Sequence, residues 1–207
     1  MIAIMVSQTP PSVFAQSVGQ GSEGDNQALL NDCAAQVYAG NITFDEIEAG
    51  WRQCLLDAAL GMQGVPYAWG GKDPATGVDC SGFTYSAFLN AFGVSIGDST
   101  WSQPNGHVLI NGTLYRNVGD TYAGGEIGDY PVGTILFFVS DAGERHVVMA
   151  AGNGQIIDAG QTLGQVALRN IPDNLRNDYQ FVGAVDFITP DFLAAVDRAL
   201  GTQRQMG

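Results

Sequence analysis

Positive charge is scarce in this chain: eight Lys and Arg stand against 21 Asp and Glu, a formal net charge of −13 over 207 residues. A phosphate backbone needs basic patches to neutralise it, so the balance excludes a nucleic-acid binder and argues equally against docking on an anionic membrane surface. No apolar run approaches the length of a membrane-spanning helix, so membrane insertion is not expected. Cysteine and histidine are also few, three and two residues. The cysteines, Cys33, Cys54 and Cys80, share no short ligand spacing, which removes the usual zinc arrangements. Neither a metal nor another cofactor is expected.

What the chain does have is glycine, 28 residues, with a heavy load of Asn, Gln, Ser and Thr. That composition suits a secreted or surface-exposed protein. The length allows one main domain with a full core and a small appendage. Residues 1–25 read as a disordered or tethering segment, because Gly19-Gln20-Gly21-Ser22-Glu23-Gly24 offers nothing to pack. Ile2-Ala3-Ile4-Met5-Val6 has no preceding Lys or Arg and makes a poor signal peptide. Val13-Phe14-Ala15 before Gln16 nevertheless has the small-residue spacing of a signal-peptidase site.

Residues 26–62 read as a helical hairpin. Asn26 to Ala39 carries Leu29, Leu30, Cys33 and Val37 on one face, and Gly40 ends it. Thr43-Phe44-Asp45-Glu46 is a capping box that opens a second helix, Phe44 to Gly61, with Ile47, Trp51, Cys54, Leu55 and Ala58 as its apolar face. Helices joined by so short a turn run antiparallel. Cys33 and Cys54 lie at comparable distances from the turn, so they can meet in a disulfide, which marks an oxidising compartment. They can also be two small core residues that never bond. The disulfide is favoured because it leaves Cys80 as the odd thiol.

Cys80 sits in Asp79-Cys80-Ser81-Gly82-Phe83, after Pro66-Tyr67-Ala68-Trp69-Gly70-Gly71 and at the head of a helix-patterned run, Ser81 to Ala91. At the first turn of a helix, unpaired N–H groups and the dipole favour negative charge, which activates a thiol as a nucleophile. The base must come from elsewhere. His146 follows a turn at Asp141-Ala142-Gly143-Glu144 and opens the strand-like run Val147-Val148-Met149-Ala150. Gln155-Ile156-Ile157-Asp158-Ala159 returns after Gly152-Asn153-Gly154. In such a hairpin Asp158 comes back beside His146 and can orient its imidazole, the Cys–His–third-group logic of thiol hydrolases. Register decides this, since a one-residue slip turns Asp158 to the other face. His107 lies in an irregular segment with no returning carboxylate and reads as a surface or cleft-rim residue. Core strands are expected at Thr134 to Val139, His146 to Ala151, Gln155 to Asp158 and Phe181 to Phe187. A hairpin is expected around Asn111-Gly112, and a terminal helix over Asp191 to Leu200.

Tyr67-Ala68-Trp69-Gly70-Gly71, Asp79 through Phe83, Gly133-Thr134-Ile135-Leu136-Phe137-Phe138 and His146 through Ala159 together resemble the NlpC/P60 family of cell-wall peptidases, over roughly Leu55 to Ile188. For residues 63–207 the resemblance implies a papain-like α+β catalytic domain, its Cys helix packed against an antiparallel sheet. It implies an extracytoplasmic endopeptidase whose partner is the peptidoglycan stem peptide, commonly cut at a bond beside D-glutamate. Catalytic roles then fall to Cys80, His146 and Asp158, the last standing where the family most often has His and sometimes Asn or Gln. Tyr67, Asp79 and Ser81 would recognise the free amine of the stem, and Trp69 would form an aromatic wall. Asp79 and Ser81 also suit ordinary capping of the helix. A second departure is the segment 101–130, longer and richer in Gly than the usual connection. Two other readings use the same residues. One is an acyltransferase or transpeptidase on the Cys–His pair. The other is a silent or lytic module of an envelope-penetrating machine, such as a phage tail or conjugation apparatus. An intact Cys–His pair weighs against silence, and membership of a larger envelope-associated assembly is compatible with catalysis.

Overall fold

The computed structural model describes residues 23–39 and 43–201. Most of the tether expected over 1–25 lies outside the described residues. Helix α1, Glu23–Tyr38, begins ahead of the Asn26 expected from the apolar repeat. Helix α2, Phe44–Leu60, starts at the capping box: the Thr43 hydroxyl accepts from the Glu46 N–H, and the Glu46 carboxylate accepts from the Thr43 N–H at 2.9 Å. The Cys33–Cys54 disulfide is present, with Cα atoms 6.2 Å apart. Trp51, fully buried, meets the rings of Tyr38, Phe92 and Phe192 edge-on.

A two-residue ribbon, β1 (Lys72–Asp73) and β2 (Gly77–Val78), leads into α3, Cys80–Phe92. Phe83, Ala87, Phe88, Ala91 and Phe92 are all buried on α3, so this helix is central. A small sheet follows from β3 (Val94–Ser95), β4 (Val108–Ile110) and β5 (Thr113–Tyr115). Strands β4 and β5 turn through Asn111 and Gly112 at φ 48° and 75°, the left-handed pair an Asn-Gly turn requires.

The main sheet has six antiparallel strands in the order β10-β9-β8-β7-β11-β6. They are β6 (Asp120–Tyr122), β7 (Ile135–Ser140), β8 (Arg145–Gly152), β9 (Gln155–Gly160), β10 (Gln165–Asn170) and β11 (Tyr179–Asp186). A short helix α4, Asp173–Asn177, precedes β11, and α5, Pro190–Leu200, follows it. The sheet is apolar on both faces. Val147, Met149 and Ile157 join the core under the helices. Val148, Ala150 and Ile156 join Leu136 and Phe138 in a second cluster, covered by Ile171 and Leu175. Two-sided burial is why these strands read as continuous apolar runs in the sequence.

The helical hairpin is pinned to the sheet by one arginine. Arg52 of α2 donates to Asp186 at 2.6 and 3.1 Å, to Glu48 at 2.7 Å, and to the carbonyls of Val132 and Ile188 at 2.8 and 3.1 Å. Burial pushes the Asp186 carboxyl above its ordinary range, and Arg52 offsets that only in part.

Candidate active site

Cys80 opens α3 because the residue before it caps the helix. Asp79 has extended backbone, and its Oδ1 accepts from the Gly82 N–H at 2.7 Å and from Ser81 Oγ at 3.0 Å. Its Oδ2 accepts from the Gly70 N–H at 2.9 Å, so one carboxylate fixes both the helix start and the loop before it. Loop and helix meet backbone to backbone. A Cβ on Gly82 would lie 1.9 Å from the Gly71 carbonyl oxygen, and one on Gly71 would lie 2.3 Å from that of Gly77, so neither position admits a side chain. From the other side, the buried amide of Gln103 donates to the carbonyls of Ser81 at 2.9 Å and Gly97 at 3.1 Å and accepts from Thr84 Oγ1 at 3.0 Å. The free thiol of Cys80 is left 8% exposed at the first turn.

The β8–β9 hairpin supplies the next groups. Met149 lies opposite Ile157. Continuing that register puts Asp158 on the face that carries His146, one diagonal step away. His146 Nε2 and Asp158 Oδ2 are 2.8 Å apart. Asp158 is fully buried and accepts two more bonds from Arg169, from Nε to Oδ1 at 2.9 Å and from Nη2 to Oδ2 at 2.7 Å. In β10, Ala167 is the residue paired with Asp158, which places Arg169 diagonally across the same face. The sequence reading does not find Arg169: its strand shows no clear periodicity, and the contact exists only once β10 docks on β9.

Burial alone would lower the pKa of His146. Hydrogen bonds to Asp158 and to Cys80, together with their charges, outweigh it and raise the value to about 9. Burial would likewise raise Asp158, but the bonds and positive charges of His146 and Arg169 win, and its carboxyl titrates below the usual range. With Nε2 taken by Asp158, Nδ1 is the nitrogen left for the thiol.

Tyr67 stands close to this group. Burial first, then the charges of Cys80 and Asp79, push its phenol up to about 12, so the hydroxyl keeps its proton at neutral pH. Ser81 is buried with its hydroxyl on Asp79, while Trp69 is 85% exposed and makes no ring contact among the described residues. Nδ1 of His107 accepts from the Asn117 N–H at 3.1 Å and braces a loop. Among the described residues, no three His, Cys, Asp or Glu side chains converge as metal ligands.

Helix, sheet and hydrogen-bonded relay define a class: a papain-like α+β fold with the geometry of a thiol hydrolase. The NlpC/P60 family profile matches residues 64–184, and the chain belongs to that family, one of cysteine peptidases. It is 33% identical over 133 residues to Protein P54 of Enterococcus faecium, covering 64% of this chain and 20% of that protein. To the gamma-D-glutamyl-L-lysine dipeptidyl-peptidase of Bacillus subtilis it is 25% identical over 134 residues, covering 62% of this chain and 38% of that protein. The chain thus spans well under half the length of these curated relatives. Its structure resembles the peptidoglycan hydrolase RipB of Mycobacterium tuberculosis with a TM-score of 0.51 at 18% identity, over 90% of this chain and 94% of that one, which is a likeness of fold.

Proposed function

We propose that this chain is a peptidoglycan endopeptidase that cuts stem peptides through a Cys80 thioester, with His146 as general base and acid. One observation carries the reading: the bonded series His146–Asp158–Arg169, with the charge of the Cys80 thiol at the head of a buried helix acting on His146, in an NlpC/P60 domain. The Cys80 thiolate attacks a stem carbonyl, and backbone N–H groups at the start of α3 receive the oxyanion. His146 gives a proton to the leaving amine, then takes one from the water that clears the thioester. Asp158 fixes the imidazole ring and stays ionised because Arg169 shares its charge. Thiolate, imidazolium, carboxylate and guanidinium alternate in sign and sum to zero, which limits the cost of holding charge away from water.

Tyr67, Asp79 and Ser81 flank the nucleophile, and a carboxylate with two hydroxyls suits the free ammonium of a stem peptide. Exposed Trp69 offers a flat wall beside it. A bond beside D-glutamate is the preferred target, in keeping with the name of the Bacillus subtilis relative, a gamma-D-glutamyl-L-lysine dipeptidyl-peptidase. The reaction takes place outside the cytoplasm, where peptidoglycan lies and the Cys33–Cys54 disulfide persists.

The test is a mass-spectrometric digest of purified peptidoglycan with wild-type and Cys80→Ala protein. New free amines should appear with wild type alone. Newly joined peptides in their place point to transpeptidation, and a Cys80→Ala digest as fast as wild type defeats the reading.

A further inference from the structure

Trp101 is 71% exposed, and the Arg145 guanidinium lies 3.5 Å above the centre of its ring. Both partners lie close along the chain to groups of the Cys80–His146 site. Arg145 immediately precedes His146 in β8, and Trp101 is two residues from Gln103, whose buried amide holds the Ser81 carbonyl. Arg145 joins no ion pair among the described residues. Its acidic neighbour Glu144 accepts instead from the Tyr179 hydroxyl at 3.5 Å. Stacking on an indole face immobilises the guanidinium plane and leaves its edge donors free, in the fork that matches a carboxylate.

Resting on the hydrolase reading above, we propose that Arg145, held on Trp101, is a specificity-determining residue that binds a free carboxylate of the stem peptide. The site then prefers stems that carry this carboxylate over stems in which it is amidated or missing. Stem chemistry offers two sources. A γ-linked D-glutamate keeps its α-carboxylate free, and a diamino diacid after it keeps a second.

Calorimetric titration of Cys80→Ala protein, which binds without turnover, separates them. The probes are L-Ala-γ-D-Glu-meso-diaminopimelate, its D-isoglutamine form, and the form with L-Lys replacing the diamino diacid. One of the two replacements should weaken binding about ten- to a hundredfold, the scale of a charge-assisted hydrogen bond. If the isoglutamine form is the weak one, the ligand is the D-glutamate carboxylate; if the Lys form is, it is that of the diamino diacid. Adding Arg145→Gln should compress the difference to less than about threefold, and Arg145→Lys should fall between, because an ammonium lacks the planar fork. Trp101→Ala should reduce the discrimination with Arg145 still in place. Equal binding of all three peptides, or undiminished discrimination with Arg145→Gln, overturns the subsite and leaves the hydrolase reading standing. If no peptide binds, the subsite falls too, and cutting of peptidoglycan by the wild-type protein decides the hydrolase reading separately.

Discussion

In the proposed mechanism the third member is a carboxylate, Asp158, where the family resemblance leads one to expect an imidazole, and Arg169 is what makes a carboxylate workable there. A lone carboxylate beside a thiolate–imidazolium pair would leave net negative charge buried; Arg169 cancels it at 2.7 Å. Asp158→Ala should therefore cut the hydrolytic rate by about 10² to 10⁴, by analogy with orienting carboxylates elsewhere. Asp158→Asn should keep more activity than Ala, because an amide oxygen still accepts from Nε2. Equal rates for Ala and wild type would remove Asp158 from the machinery. Arg169→Leu leaves Asp158 buried with half its partners, and a loss of about 3 kcal/mol in denaturant unfolding is expected. The raised pKa of His146 sets the pH dependence. Its folded value of about 9 lies above the ordinary 6.5, so a rate that needs the imidazolium should fall as pH rises through about 9. The same shift contributes stability that is fully present below pH 6.5 and is lost as pH climbs through about 9. Asp158, shifted down, contributes in the opposite sense: its share is present above the ordinary 3.8 and is lost as pH falls through the lower folded value. In Asp158→Asn protein the alkaline limb of the rate profile should move to lower pH; an unmoved limb would detach it from His146.

The hairpin of α1 and α2 is tied twice, by the Cys33–Cys54 disulfide within it and by Arg52 to the end of β11. Thiol titration in denaturant should count one reactive group without reductant, Cys80, and three with it. Closing a separation of 21 residues stabilises by about 3 kcal/mol in the chain-entropy account. Reduction should lower the melting temperature yet spare hydrolysis, because Arg52 and the Trp51 cluster still hold α2 in place. Three free thiols in oxidised protein would remove the covalent tie. These elements were legible because their signals are local: a Thr-x-x-Glu cap, an Asn-Gly turn, an apolar stripe, a strand buried on both faces. The placement of Asp158 beside His146 was legible for the same reason, since a short turn fixes hairpin register. Strand β10 was not. It lies at the sheet edge, and only Val166 on it is buried, so no alternation marks it. Arg169 was lost with it, and Gln103 and the Trp101–Arg145 stack share that cause. Each lies in a segment without periodicity and gains its partner only through tertiary contact.

At the scale of the whole molecule the charge balance is more lopsided than the sequence count suggests. Arg52 and Arg169, two of the eight basic residues, are bound to internal carboxylates, so even less positive charge faces solvent. Among the described residues, Arg116 and Arg198 share a groove with Leu114, Tyr115, Val118 and Asp191. Anionic wall polymers should therefore repel the protein as a body, even though the proposed reaction lies among them. Raising ionic strength from about 0.01 M to 0.15 M shortens the screening length from roughly 30 Å to 8 Å, which weakens that long-range repulsion and barely touches a buried relay. Solubilisation of intact walls carrying anionic polymers should speed up over this range. Walls stripped of those polymers should show a smaller response, because the catalytic step is insulated from salt. Turbidity clearing, followed in parallel on the two substrates, measures the difference. A rate on intact walls that falls with salt would reverse the argument: a basic patch would then be recruiting the enzyme, and Arg116→Gln with Arg198→Gln would be the variants in which to look for its loss.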